Sequence, residues 1–221
     1  MLMNKINVLT IDGPSASGKG ELARGIAKHF DFKLLDSGVL YRLFAYFNQL
    51  EFSNNEITAK IKNEISFKLM ENKLNVLEGN QDITEHLRSE EIAKIASKLS
   101  SKKEVRVSLF DIQRNFYDKK GLVADGRDMG TVVFKDAKLK IFLTASPEIR
   151  AQRRYLELQK YGQEVNMPEL IADIEKRDLK DSSRELSPLL PDEEAYVIDS
   201  SDMSLEEVFS FTENLVKKEL I

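Results

Sequence analysis

The sequence predicts an α/β fold of three layers, with a five-stranded parallel sheet between helices. Three features predict it. Short apolar runs alternate with segments of helical periodicity, the first run passes through a glycine-rich turn directly into a helix, and the alternation is broken once by a pair of short alternating strands. With 221 residues and 42% hydrophobic content, the chain is long enough to bury a core as one domain.

The elements follow in order. Ile6 to Asp12 is the first strand, and Glu21 to His29, with Leu22, Ile26 and Ala27 on one face, is the first helix. Phe32 to Leu35 is a second strand that stops at Asp36-Ser37-Gly38, and a helix from about Val39 to Gln49 presents Leu40, Phe44 and Phe47. The rhythm then changes. Ser66 to Leu69 and Leu74 to Leu77 flank Met70-Glu71-Asn72-Lys73 as a hairpin, and residues 78–82 turn the chain again. Ser89 is positioned to cap a helix carrying Ile92, Ile95, Ala96 and Leu99. Ser101 with Glu104 has the spacing of a capping box for one carrying Val105, Leu109 and Ile112. No Gly/Ser linker bounds this interruption, so it reads as a lobe on the core. Leu122 to Ala124, Leu139 to Leu143 and Ala195 to Ile198 are the remaining strands. Ser146-Pro147-Glu148 opens a helix that Gly162 ends, and Asn166-Met167-Pro168 opens another running to about Lys180. Ser204 with Glu207 caps a closing amphipathic helix.

Gly13-Pro14-Ser15-Ala16-Ser17-Gly18-Lys19 is a G-x-x-x-x-G-K loop between a strand and a helix. Its glycines let successive N–H groups turn inward on phosphate oxygens, Lys19 adds a point charge at the β- and γ-phosphate positions, and the helix dipole favours the anion. Where Ser or Thr usually follows the lysine and touches Mg²⁺, this chain has Gly20 and Glu21. The metal is therefore expected through water or on carboxylates elsewhere. Asp125, directly after an apolar strand, stands where a Walker-B-like carboxylate would orient Mg²⁺ or its waters; the bland alternative is a helix cap.

The net charge of −4 disfavours a general nucleic-acid binder. Arginines nevertheless cluster at Arg150, Arg153, Arg154, Arg177 and Arg184, which fits a small anionic ligand or, for each residue alone, a solvated helix face. The chain has no cysteine, no basic leader and no run near the ~18 apolar residues of a membrane span. The expectation is a cytoplasmic monomer without nucleic-acid or membrane partners.

Residues 13–20, then Leu35-Asp36-Ser37-Gly38 with Tyr41-Arg42, then the run from Ala124 to Phe134 resemble bacterial cytidylate kinase, in order and across essentially the whole chain. The resemblance implies a P-loop NTPase fold forming a single domain over 1–221. Its core would be 1–50, 118–148 and 185–221, with an inserted monophosphate-binding lobe at about 51–117 and a helical lid at about 149–184. It further implies ATP-dependent phosphorylation of CMP and dCMP with Mg²⁺. ATP would lie on Gly13 to Glu21 and on Arg150, Arg153 or Arg154. Ser97, Arg106 and Asp128 would face the cytosine, and Arg177 and Asp181 the sugar. Arg42, Arg127 and Arg184 would hold the acceptor phosphate, with Ser37 and Tyr41 lining that pocket. Lys19, Asp125 and Arg127 would be catalytic, Asp125 meeting the metal through water. Another small-acceptor kinase of uridylate, adenylate or shikimate type is the nearest alternative, and a nucleotide-dependent switch a more distant one.

Overall fold

The structure, a computed structural model, describes residues 5–160 and 166–221. The Gly162 helix stop lies outside them. All five sheet strands expected from the sequence form: β1 (Ile6–Asp12), β2 (Lys33–Asp36), and then, after the lobe, Leu122–Gly126, Ala137–Thr144 and Tyr196–Asp199. The lobe contributes β3 (Ile65–Met70), β4 (Lys73–Glu78) and β5 (Gln81–Asp82), so the last three core strands are β6, β7 and β8. The core sheet runs β2-β6-β1-β7-β8 with every pair parallel, and Asp12 stands opposite Gly126 on one side and Phe142 on the other.

The alternation of side chains along β1 separates two apolar layers. Val8 joins Leu35, Ala124 and the buried face of α2 (Ser37–Gln49), while Leu9 and Ile11 join α1 (Lys19–Phe30) and the closing helix at Leu205–Glu219. The Val8 layer continues without a break into the lobe through Ile57, Ile61, Val76, Leu87, Ala96 and Leu109. The lobe therefore shares the apolar core of the sheet.

Inside the lobe the hairpin turn is made by Glu71 and Asn72, both at positive φ (47° and 63°), as a two-residue turn matched to strand twist requires. Residues 81 and 82, expected only to turn the chain, pair with β4 as a third strand. Four helices flank the hairpin: α3 (Asn54–Asn63), α4 (Thr84–Arg88), α5 (Glu90–Leu99) and α6 (Lys103–Arg114). Ser89 caps α5 as expected, accepting from the Ile92 N–H. The Ser101–Glu104 box does not form. The Ser101 hydroxyl donates instead to Lys98 O at the end of α5 (2.8 Å), and α6 begins from Lys102 without a side-chain cap. Helix α3 was not anticipated, although Ser53-x-x-Glu56 ahead of Ile57 and Ile61 is a capping box, present here with Ser53 N–H donating to Glu56 Oε2 (2.8 Å). Ser53→Ala is expected to lower stability by about 1 kcal/mol in urea titration; an unchanged midpoint would mean that the cap adds nothing.

The remaining helices are α7 (Pro147–Lys160), α8 (Met167–Ser182) and α9 (Leu205–Glu219). Helix α9 starts with the capping box expected at Ser204 and Glu207. Among the described residues, no helix is long and apolar enough to cross a membrane.

Candidate active site

The carboxyl ends of β1, β2, β6 and β7 converge on the loop between β1 and α1. Gly13 enters it at φ +153°, so close to β7 that an added Cβ would lie 2.0 Å from Leu143 O. Ala16 (φ +58°) and the N-cap Gly18 (φ +94°) are also left-handed, the backbone conformation from which anion-binding nests of N–H groups are built. Lys19 is buried and donates to Pro14 O at 2.9 Å, folding its ammonium over the loop. Burial, reinforced by the charge of Arg127, draws its pKa down to about 7.

Asp125, the next-to-last residue of β6, lies near enough for this ammonium to bear on it. It is buried, and burial pushes its carboxyl up to about 7 against the pull of Lys19. Its Oδ1 has no hydrogen-bond partner. An added Cβ at Gly20 would come within 3.2 Å of the other oxygen, Oδ2. The small residue after the lysine thus leaves room for a carboxylate where a hydroxyl commonly stands. Glu21 is exposed on the first turn of α1.

Arginines come next. Arg127 donates from Nε to Asp181 Oδ2 (3.2 Å), and its charge bears on both Lys19 and Arg177. Arg184 donates from Nε to Asp181 O (3.2 Å), with Nη2 3.8 Å from Asp181 Oδ1. Helix α8 ends at Ser182, so Arg177 and Asp181 share its face, while Arg184 reaches the same carboxylate from just beyond. Burial, then the repulsion of Arg127, lowers the pKa of Arg177 to about 10. Arg177 Nε and Arg184 Nη2 are buried without hydrogen-bond partners. Two guanidinium groups, of Arg127 and Arg184, therefore meet the carboxylate of Asp181, and the charge of a third, Arg177, feels it from the same helix, a concentration of positive charge that favours an anion.

A second polar group stands near the first, Tyr41 feeling the charges of Arg106, Asp128 and Arg184 together. Arg106, on α6, pairs with buried Asp128 and donates to Ser100 O (3.0 Å). Tyr41 lies near that pair, and burial raises its pKa to about 12. Ser37 is buried at the start of α2 and accepts from Gln113 Nε2 at 2.9 Å. Arg42 donates to Leu87 O (2.8 Å). Ser97 accepts from the Lys180 ammonium through its carbonyl (3.1 Å), which links α5 to α8.

The three arginines of α7 diverge. Arg150 donates to Ala145 O (2.8 Å) and Ser15 O (3.3 Å) and pairs with Asp178 (2.6 Å). Arg153 donates to Ser17 O (3.0 Å) and to Ser200 O and Oγ. Both thus grip the outside of the phosphate-type loop by its carbonyls. Arg154 does not join them; it pairs with Glu90 and Glu157.

A family model described as Cytidylate kinase matches residues 9–218. The chain belongs to the cytidylate kinase family. The cytidylate kinase of Acinetobacter baylyi is 42% identical over 219 residues, covering 96% of each chain. That of Saccharophagus degradans is 45% identical over 207 residues, covering 91% of this chain and 92% of its own. Among solved structures, TT1252 from Thermus thermophilus superposes with a TM-score of 0.50 at 14% identity, over 98% of this chain and 99% of that chain, a likeness of fold alone. The cytidylate kinase family thus accounts for the three motifs together. Gln113 was not singled out from the sequence. Its signal is a polar residue within the apolar stripe of α6, one position after Ile112 and four after Leu109, and it is almost fully buried.

Proposed function

We propose that this protein transfers the γ-phosphoryl group of ATP to CMP and dCMP, giving ADP with CDP or dCDP. The observation that carries the reading is the arginine group at Asp181, whose Arg127 lies near enough for its charge to bear on Lys19, so that in this reading two anion-binding places adjoin. In this reading the loop from Gly13 to Glu21 holds the triphosphate and Arg127, Arg184 and Arg42 hold the acceptor phosphate. Arg177 and Asp181 hold the sugar, and Ser97, Arg106 and Asp128 face the cytosine. Ser37 and Tyr41 line the phosphate pocket.

The acceptor oxygen needs no general base, because a nucleoside monophosphate has a second pKa near ~6 and is already ionised at neutral pH. Catalysis is then alignment of two anions and neutralisation of the charge spread over the transferred group, by Lys19 and Arg127. Arg150 and Arg153 keep the donor loop in shape through its carbonyls. Arg154 would have to leave Glu90 and Glu157 to reach a phosphate.

Mg²⁺ fits the residues present. Among the described residues no group of three His, Cys, Asp or Glu side chains could hold a metal alone, but Asp125 offers a buried, unpartnered carboxylate oxygen next to Lys19. Asp125 would hold the ion, mainly through water, and the ion would supply charge neutralisation at the phosphates.

Cytosine presents an amino donor where uracil presents an acceptor. Asp128 can accept from that amino group and Arg106 can donate to the ring, so the wrong base leaves buried groups unpaired. A coupled assay across CMP, dCMP, UMP, AMP and shikimate is expected to show kcat/KM highest for CMP and dCMP; preference for any of the others would overturn the assignment. Asp128→Ala and Arg177→Ala are each expected to weaken CMP binding about 10- to 100-fold by calorimetry. Unchanged affinity in both would refute the acceptor site.

A further inference from the structure

We propose that Asp12 is a positioning residue that sets cytosine selectivity, by clamping the segment that carries Arg127 and Asp128 against the donor loop. The proposal rests on the reading in which Asp128 faces the base.

Asp12 is the last residue of β1, buried, and in register with Gly126 of β6. Its Oδ1 accepts from Met129 N–H and its Oδ2 from Gly130 N–H, each at 2.8 Å. These two amides open a π-helical turn over Met129–Val133, whose own bonds begin with Val132 and Val133 N–H donating to Asp128 O. The first amides of such a turn need an outside acceptor, and Asp12 supplies one oxygen to each. The segment is therefore fixed from both sides, by the β1–β6 register at Gly126 and by the carboxylate at residues 129 and 130. Arg127 and Asp128 stand between these anchors, one directed at Asp181 and the other at Arg106.

The chemistry of the placement argues for a purpose beyond packing. Among the described residues, no cationic side chain forms an ion pair with Asp12. Burial, the larger effect, raises its pKa to about 7, and the carboxylates of Asp128 and Asp125 also bear on it unfavourably. A buried carboxylate with acidic neighbours and no counter-ion is costly, so it is tolerated for something a neutral side chain cannot do. Asparagine has one acceptor oxygen and would turn its amide donor toward one of the two N–H groups. The turn is also seated closely. A Cβ at Gly130 would lie 2.8 Å from Thr10 Oγ1 and 3.4 Å from Asp12 Oδ2. Since Asp12 immediately precedes Gly13, one residue ties the entrance of the donor loop to the base-facing segment.

The test measures kcat/KM for CMP and for UMP at saturating ATP in the wild type, Asp12→Asn, Gly130→Ala and Asp128→Asn, with thermal melts to confirm folding. Asp128→Asn is expected to reduce the CMP:UMP ratio about 100-fold. Asp12→Asn is expected to reduce it about tenfold, chiefly by raising KM for CMP, with KM for ATP changed less than about twofold. Gly130→Ala keeps the carboxylate but lifts the turn, and is expected to act in the same direction; it carries the test if Asp12→Asn fails to fold. A purely structural role would lower activity on both bases together and leave the ratio fixed. An unchanged ratio in the folded Asp12→Asn and Gly130→Ala proteins, with a changed one in Asp128→Asn, overturns this inference. An unchanged ratio in Asp128→Asn overturns the reading of Asp128 itself.

Discussion

Lys19→Met is expected to lower kcat by roughly 10²- to 10³-fold while the protein stays folded. The ammonium is buried, sits over the loop on Pro14 O, and is the cation closest to Asp125 in effect. Methionine reproduces the stem of the side chain out to Cε, with sulfur in place of Cδ, and lacks only the ammonium, so the loss would be chiefly electrostatic. A kcat within about tenfold of wild type would show that Arg127 and the metal suffice without it. The same residue gives the donor site a pH signature. Without nucleotide, burial and the charge of Arg127 hold its pKa well below the usual lysine value, so on the alkaline side of neutrality the empty loop holds this proton less than fully. Phosphate oxygens placed on the loop favour the ammonium and raise the pKa, so nucleotide binding takes up a proton above pH 7 and progressively less below it. Calorimetry of metal-free ATP binding at pH 8, in two buffers of different ionisation enthalpy, is expected to show that uptake in the wild type. Lys19→Met should lose up to one proton of it, and equal uptake in both proteins would place the titration elsewhere.

Gly13→Ala is expected to be among the most damaging substitutions of one small residue in the chain. Its Cβ would lie only 2.0 Å from Leu143 O, in a backbone conformation that L side chains rarely adopt. Neither group can yield cheaply, because Leu143 lies in the central sheet, in register with Ile198 of β8. The cost is roughly 3 kcal/mol or more, which for a domain of this size lowers the melting temperature by about 6–12 °C. A fall of less than about 2 °C would mean that the loop entrance relaxes freely.

The sheet could be read from the sequence because its strands are short apolar runs placed between helical repeats, a pattern local in the chain. The loop at Gly13 to Lys19 was equally legible, since a phosphate cradle is made of consecutive residues. Local signals also misled. Ser101 and Glu104 have the spacing of a capping box, but the end of α5 lies close enough to claim the Ser101 hydroxyl first. What could not be read was which arginine meets which partner. Arg150, Arg153 and Arg154 look alike along α7, yet only the first two turn toward the loop, because Glu90 of the lobe holds the third from across the cleft. Such choices depend on residues distant in sequence and brought near by the sheet. Gln113 on Ser37 is another case, set by the approach of α6 to the start of α2.

The strand order carries a consequence for synthesis on the ribosome. Strand β1 lies at the centre of the sheet, yet it is paired only with β6 and β7, which follow it by more than a hundred residues, and β2 is paired only with β6. At roughly 5–20 residues per second, the loop-bearing strand waits on the order of ten seconds before its first neighbour exists. Throughout that interval the lobe, whose hairpin and helices are local in sequence, is the part of the chain able to take shape. The site cannot begin to assemble until β6 has emerged, when one strand closes the gap between the two earliest ones and delivers Asp125, Arg127 and Asp128 to the waiting loop; Arg177, Asp181 and Arg184 join it last.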